Sequence, residues 1–308
     1  MNRTNSYDLV IVGCGAAGLS AGLQAGRLGL KTVMVEKEMI GGWLVNADLI
    51  EDYPGFPDGV HGMNLGMGMA DQAEKLGVDT QITEVTGIER RGGGFVVKTH
   101  DGTLNARAVI IASGASHGKL RIPREEEMEG SGISYCATCD GGLFRNQPVA
   151  VVGGDDEALR EAIFLTQYAA RVVIVHSGQQ LDACHILRQS VASNPKIEAR
   201  LGVGVEAIVG DSQVTGLQLR QADSGNASLL EVSGVFVATG STPNTEFLEG
   251  LLALSSSARV PTNTAMETKI AGLFAAGMAS DGHTTHPAVA IGEGIVAAES
   301  AKRFVDKR

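Results

Sequence analysis

Short runs of β-branched and other apolar residues alternate along the chain with glycine-rich turns and helices of small residues. Leu9 to Val12 reads as a short buried strand, and the small-residue stretch that follows reads as a helix to about Leu28. Lys31 to Val35 is the next strand and ends at Glu36. Strand, glycine turn, helix and strand together have the size of a βαβ unit. A helix is expected from Met63 to Leu76. Two antiparallel strands then follow, Phe95 to Thr99 and Leu104 to Ile111, joined by the Asp101-Gly102 turn.

The pattern then repeats. Val149 to Val152 is a strand, Gly153 to Asp156 a turn, Glu157 to Tyr168 a helix and Val172 to Val175 a strand. Further strands are expected around Val214 to Arg220 and Val232 to Ala238. Ala112-Ser113-Gly114 and Ala238-Thr239-Gly240 close the two copies at equivalent places. An internal duplication of a dinucleotide-binding unit accounts for this most simply. After Gly240 come Gly272 to Gly277 and a final helix, Ala288 to Phe304, too few elements for a third domain. They are expected to complete the first domain, with the second inserted into it.

At 308 residues the chain is long enough for two such domains. Glycine makes up 41 of them, well above the usual ~7 %. The excess lies in turns beside β-branched runs, as expected of α/β loops that approach phosphates. A net charge of −10 argues against nucleic acid as a partner. No apolar stretch approaches the ~20 residues needed to span a bilayer, so no membrane partner is expected. Met1 to Tyr7 is polar and runs directly into the first strand, unlike a signal peptide, and a cytoplasmic location is expected. In a reducing cytosol, four cysteines with one close pair favour redox chemistry over a disulfide framework.

Two motifs carry chemistry. Gly13-x-Gly15-x-x-Gly18 follows a strand and opens a helix, and Glu36 stands 18 residues beyond Gly18. One glycine makes the tight turn, one lets the backbone approach a pyrophosphate, and one lets helix and strand pack closely. The helix N-terminus supplies positive dipole, and Glu36 can accept from ribose hydroxyls. The competing explanation is a merely structural turn. The second motif is Cys136-Ala137-Thr138-Cys139-Asp140, for which a redox dithiol, a zinc site and chance compete. Structural zinc needs four ligands, but no second C-x-x-C exists, Cys14 lies in the glycine turn and Cys184 stands alone. His283 and His286 lack an evident third ligand, so no metal is expected and surface or cofactor-side polar roles are preferred. Two cysteines flanking one turn can form a small-ring disulfide, a helix end can lower one thiol's pKa, and Asp140 could shuttle a proton. Cys14 and Cys184 read as buried small residues.

Over almost its full length the chain resembles low-molecular-weight thioredoxin reductases. The resemblance rests on the turn at Gly13 to Gly18, Gly41-Gly42 with Leu44, Tyr53 to Phe56, Ile110 to Ala115, Ser134 to Gly141, Ser241 to Thr245 and Gly272 to Gly277. Ser-Tyr-Cys-Ala-Thr-Cys-Asp-Gly is the most specific of these strings. The resemblance implies an α/β fold of two Rossmann-like three-layer ββα domains: an FAD-binding domain at 1–115 and 242–308, and an inserted domain at 116–241 that carries the dithiol. It also implies a homodimer, with Cys139 facing the flavin and Cys136 attacking the substrate disulfide. Cofactor contacts would come from Gly13, Gly15, Ala16, Ala17, Gly18, Glu36, Gly41, Gly42, Trp43, Leu44, Asn46, Asp52 and Val85. Ala112, Ser113, Gly114, Gly277, Met278, His286, Pro287 and Ala288 would complete the FAD site. Catalysis would fall to Cys136, Cys139 and Asp140.

Departures from the family pattern are equally informative. Its second glycine turn reads G-G-G-D-S-A, whereas here it is Gly153-Gly154-Asp155-Asp156-Glu157-Ala158. Asp155 would block close approach of a diphosphate and repel it. The family's basic H-R-R-D-x-x-R stretch, which grips the NADPH 2′-phosphate, corresponds to His176 to Asp182, with every arginine gone. Each lost charged hydrogen bond is worth ~1.5–3 kcal/mol, so three exceed ~4 kcal/mol, about a thousandfold in affinity. On the flavin side Met278 replaces an Asp, Thr285-His286 an Arg-Gln pair, and Trp43 a Gln. Trp43 is expected in the core or at a dimer contact rather than stacked on flavin, and Phe304 in ordinary helix packing.

The function expected is therefore an FAD-dependent disulfide oxidoreductase fed by ferredoxin or another donor rather than NADPH. Electrons would reach the Cys136–Cys139 disulfide and leave to thioredoxin or a similar protein disulfide. Rotation of the inserted domain would let Cys136 meet both flavin and partner. The alternatives are an NADPH-dependent reductase with an atypical site, a dithiol oxidase using oxygen, and a non-catalytic redox sensor.

Overall fold

A computed structural model describes residues 5–307 of the chain. The polar start at Met1 to Thr4 lies outside the described residues. Two compact units result, Met1–Ser116 with Pro243–Arg308, and His117–Thr242. At each crossing the boundary falls one residue later than the sequence places it.

The first unit opens with β1 (Ser6–Val12), α1 (Ala16–Arg27), β2 (Thr32–Glu36), α2 (Gly62–Glu74) and β3 (Asp79–Ile82). β4 (Val85–Arg91), β5 (Gly94–Thr99) and β6 (Gly102–Ile111) complete its first segment. Strands β3, β2, β1 and β6 run parallel in that order, and β5 and β4 continue the sheet antiparallel beyond β6. Alternation along the strands divides the apolar side chains between two cores. Leu9, Ile11, Met34, Ala108 and Ile110 pack with helices, while Val10, Val12, Val33, Val35 and Val109 pack on the other face with Val97 and Leu104. A helix layer, a parallel sheet and an antiparallel arm follow from that division.

The chain crosses at β7 (Ala115–His117) and enters the second unit with β8 (Ile133–Ser134), α3 (Ala137–Asp140), β9 (Pro148–Val152), α4 (Asp156–Leu165) and β10 (Arg171–His176). Next come α5 (His185–Ser193), β11 (Ile197–Leu201), β12 (Val203–Val209), β13 (Gly216–Gln221), β14 (Ala227–Glu231) and β15 (Gly234–Val237). The parallel sheet has the order β11-β10-β9-β15-β8, and β12-β13-β14 form a separate antiparallel sheet. Val149, Val151, Val172 and Ile174 face the helices, whereas Ala150, Val152, Val173 and Val175 face the antiparallel sheet. The return crossing β16 (Ser241–Pro243) pairs with β7, after which β17 (Leu273–Ala275) and α6 (Pro287–Asp306) complete the first unit.

The duplication extends to individual hydrogen bonds. Gly13 N donates to Val35 O at 2.7 Å and Ala112 N to Val12 O at 2.8 Å. In the second unit Gly153 N donates to Val175 O at 3.0 Å and Ala238 N to Val152 O at 2.9 Å. The pattern did not predict β3, β4, β11, β12 or β14. β3 is a polar, largely exposed strand, and β12 carries a glycine and a bulge at Val205 to Ala207. No described helix is long and apolar enough to cross a membrane.

Candidate functional site

In the first unit the glycine turn sits at the end of β1 and opens α1. Gly13 has φ +102°, and a Cβ there would collide with Ala112 O, while one on Gly18 would collide with Gly13 O. Gly15 differs. The nearest atom to a Cβ there is Gly42 Cα at 4.0 Å, and Gly15 gives the N-terminus of α1 no side-chain cap. The N–H groups of Ala16, Ala17 and Gly18 therefore open onto a gap floored by glycines, a cradle that fits a pyrophosphate. Gly41 (φ +109°) and Gly42 (φ +52°) lead into a 3-10 turn, Gly42–Asn46, with Leu44 buried beneath it. Glu36 Oε2 accepts from Cys14 N at 2.7 Å and Oε1 from Glu38 N at 3.0 Å, which holds its carboxylate at the turn. Cys14 itself is fully buried, and burial with the nearby Glu36 charge pushes its thiol far upward.

Other predicted residues gather around this turn. Trp43 Nε1 donates to Ala115 O at 2.7 Å, tying the 3-10 turn to the strand after Gly114. Ser113 Oγ donates to Asn244 O at 2.6 Å, and Asn244 Nδ2 to Ser113 O at 3.2 Å. Half-buried Val85 packs against the core on the antiparallel side, and nearby Thr83 N donates to Glu36 O at 2.7 Å. Gly277 packs against Ala17, and His286 caps α6 by accepting from Ala288 N at 3.1 Å, with Pro287 at the first helical position. His286 Nε2 lies 3.7 Å from Asp52 Oδ2.

Glu293, His283 and Arg259 support the Gly277 turn. Glu293 Oε2 accepts from Gly277 N at 2.7 Å and lies 3.0 Å from His283 Nδ1. Of the two places expected for His283, surface or flavin side, the surface is excluded: its side chain is 1 % exposed and partnered by Glu293. Arg259 donates to Met278 O. Among the described residues no cluster of three or more His, Cys, Asp or Glu could hold a metal ion. Phe304 packs against the helix-side core next to Gly272.

The dithiol turn lies in the second unit. Cys136 and Cys139 are joined by a disulfide, with Cα atoms 5.3 Å apart. Cys136 is the N-cap of α3, and its Sγ accepts from Cys139 N at 3.2 Å and lies 3.3 Å from Thr138 Oγ1. Cys139 is exposed and Cys136 half-buried. Ser134 Oγ donates to Asp140 Oδ2 at 2.7 Å and accepts from Cys136 N at 3.1 Å, linking the carboxylate to the turn. Cys184 does not match the expected buried residue. It is exposed as the N-cap of α5, its N–H donating to Asp156 Oδ1 at 2.7 Å.

The second glycine turn repeats the backbone of the first but is filled differently. α4 begins at Asp156, and Asp155 caps it by accepting from Ala158 N at 3.0 Å. A Cβ on either Gly154 or Gly178 would strike the His176 ring, so the imidazole is seated between the two glycines. The segment after β10 folds back as well. Asp182 N donates to Gly154 O at 2.7 Å, and His176 Nε2 lies 3.5 Å from Asp182 Oδ2.

Residues 7–294 match the model of the pyridine nucleotide-disulphide oxidoreductase family. A thioredoxin reductase of Mycolicibacterium smegmatis is 38 % identical, covering 97 % of this chain and 96 % of its own. The crystal structure of Lactococcus lactis thioredoxin reductase superposes with a TM-score of 0.96 at 36 % identity, covering 98 % of this chain and 100 % of that one. A ferredoxin-flavin thioredoxin reductase from Clostridium acetobutylicum gives a TM-score of 0.54 at 29 % identity, covering 98 % and 99 %. The chain belongs to the pyridine nucleotide-disulphide oxidoreductase family and, within it, is a flavin-dependent disulfide oxidoreductase of the low-molecular-weight thioredoxin-reductase type.

Proposed function

We propose that the protein passes electrons from FAD to the Cys136–Cys139 disulfide and on to thioredoxin or a similar protein disulfide, and that its reductant is not NADPH. Ferredoxin is the donor class we favour. The observation that carries the proposal is the occupied second glycine turn: Asp155 takes the helix end that a diphosphate would need, and the His176 ring fills the crook beside Gly154. NADPH does not fit these residues.

FAD fits the open cradle at Gly15 and Gly42, where it would supply a two-electron carrier. Ala16 to Gly18 would donate to its pyrophosphate, Glu36 would accept from its ribose, and the Gly277 turn with Met278 and His286 would hold its far end. On the dithiol, Cys139 N stabilises negative charge on Cys136 Sγ, which favours Cys136 as the attacking thiolate. Asp140, held by Ser134, takes and returns the proton as the thiols form and close. In this proposal the protein works as a cytoplasmic homodimer.

An anaerobic titration of the flavin band tests the donor. Reduced ferredoxin, dithionite or a dithiol is expected to bleach it, and stoichiometric NADPH to leave it yellow. Bleaching by stoichiometric NADPH would favour the NADPH-dependent alternative and overturn the donor proposal.

A further inference from the structure

A second carboxyl reaches the dithiol turn from α4. Glu161 Oε1 accepts from Ala137 N at 3.4 Å, and Ala137 directly follows Cys136 at the start of α3. Its other oxygen, Oε2, is buried with no hydrogen-bond partner among the described residues. A buried carboxylate with one bare oxygen is costly when charged and far less so when it holds a proton. Its surroundings act in the same direction. Burial, then Glu157 one turn earlier and Asp155 at the cap, push Glu161 up to about 8, opposed by the Ala137 hydrogen bond. Burial and Asp155 raise Glu157 itself to about 7, with Arg160 opposing. His117 Nδ1 stands 3.9 Å from Glu157, and burial lowers its pKa, which weakens it as a counter-charge. The α3 turn itself carries Cys136, Cys139 and Asp140, the last engaged by Ser134.

We propose that Glu161 is a proton-holding positioning residue for the dithiol: as a neutral acid it anchors the Ala137 amide while the disulfide is open, and its ionisation disfavours the Cys136 thiolate. The inference rests on the redox role of Cys136 and Cys139 and is independent of the electron donor. Reduction breaks the S–S bond and places two electrons on the sulfurs. Two protons are taken from solvent if both become thiols, and one if Cys136 remains a thiolate. A thiolate at Cys136 and a carboxylate at Glu161 would compete for the same end of α3, through Cys139 N and Ala137 N. Neighbouring like charges do not ionise independently, so Glu161 holds its proton more tightly in the reduced protein.

The test equilibrates FAD-loaded wild type and E161Q anaerobically with a small dithiol/disulfide couple across pH. Acid quench, alkylation and mass spectrometry then count the open Cys136–Cys139 pairs. Glutamine keeps an acceptor for Ala137 N and cannot ionise. The two proteins are expected to agree below about pH 7 and to diverge from about pH 8, the wild-type dithiol being disfavoured by roughly twofold at about pH 8 and roughly fivefold at about pH 9 for a coupling of about one pK unit. Superimposable pH profiles would overturn the proposal and leave Glu161 as an anchor, in which case only E161A, lacking the acceptor, would be impaired, and at every pH. Reduced-minus-oxidised infrared spectra of the wild type give an independent reading. A protonated carboxyl band that moves on reduction is expected, and its absence would also overturn the proposal. If the couple fails to open the disulfide in any variant, the redox role of the cysteines falls, and the inference with it.

Discussion

Three glycines of one motif have separable duties, and substitution should separate them. At Gly15 a Cβ has room, so Gly15→Ala is expected to fold normally but to crowd the flavin pyrophosphate. An overpacking cost of about 1–3 kcal/mol corresponds to roughly 5- to 150-fold in FAD affinity, read by flavin retention on dilution. Gly18→Ala strikes backbone instead and is expected to lower the melting temperature by roughly 2–4 °C per kcal/mol lost, whether or not FAD is present. The free cysteines should also separate. With the disulfide intact, iodoacetamide is expected to label exposed Cys184 and spare buried Cys14, as peptide mass spectrometry would show. The backbone duties of these glycines were legible in the sequence because each follows from position in a βαβ unit. Exposure of Cys184 and burial of the His283 side chain were not legible, since each depends on a partner in another element, Asp156 at the start of α4 and Glu293 on α6.

At the scale of elements, α1 and α4 are equivalent helices with opposite N-termini. α1 begins at a glycine with no side-chain cap, and α4 is closed by Asp155. The Asp155 substitution was visible in the sequence as a block, but its role as a helix cap needed the structure. His176 was read only as part of a run without arginines, although Gly178 two residues later hinted at a ring needing space. α4 also carries a stability prediction. Glu161 rises from about 4.5 to about 8 on folding, so between those values the native state binds more protons than the unfolded chain. Stability then falls as pH rises through that window. Melting curves of the wild type are expected to decline more steeply from about pH 5 to pH 9 than those of E161Q, and parallel declines would refute this.

At the scale of the whole molecule, duplication and insertion were legible because the same strand-turn-helix pattern occurs twice and the closing Ala112 and Ala238 segments match. The antiparallel arms were only partly legible. β12 is interrupted by Gly204 and β14 is almost wholly exposed, so their alternation is weak until they pair. One unit carries the glycine cradle and the other the dithiol, and the helix behind each glycine turn begins differently, uncapped in the first and capped by Asp155 in the second.

With the His176 ring seated between Gly154 and Gly178, the second cleft is hard to reopen. Changing Asp155 alone frees a helix end behind an occupied crook, and shrinking His176 alone empties the crook in front of a capped helix. On the proposed reading, a dinucleotide could be regained only by both changes together. On that reading the cleft is a double lock, and a single substitution at Asp155 or at His176 leaves the choice of reductant unchanged.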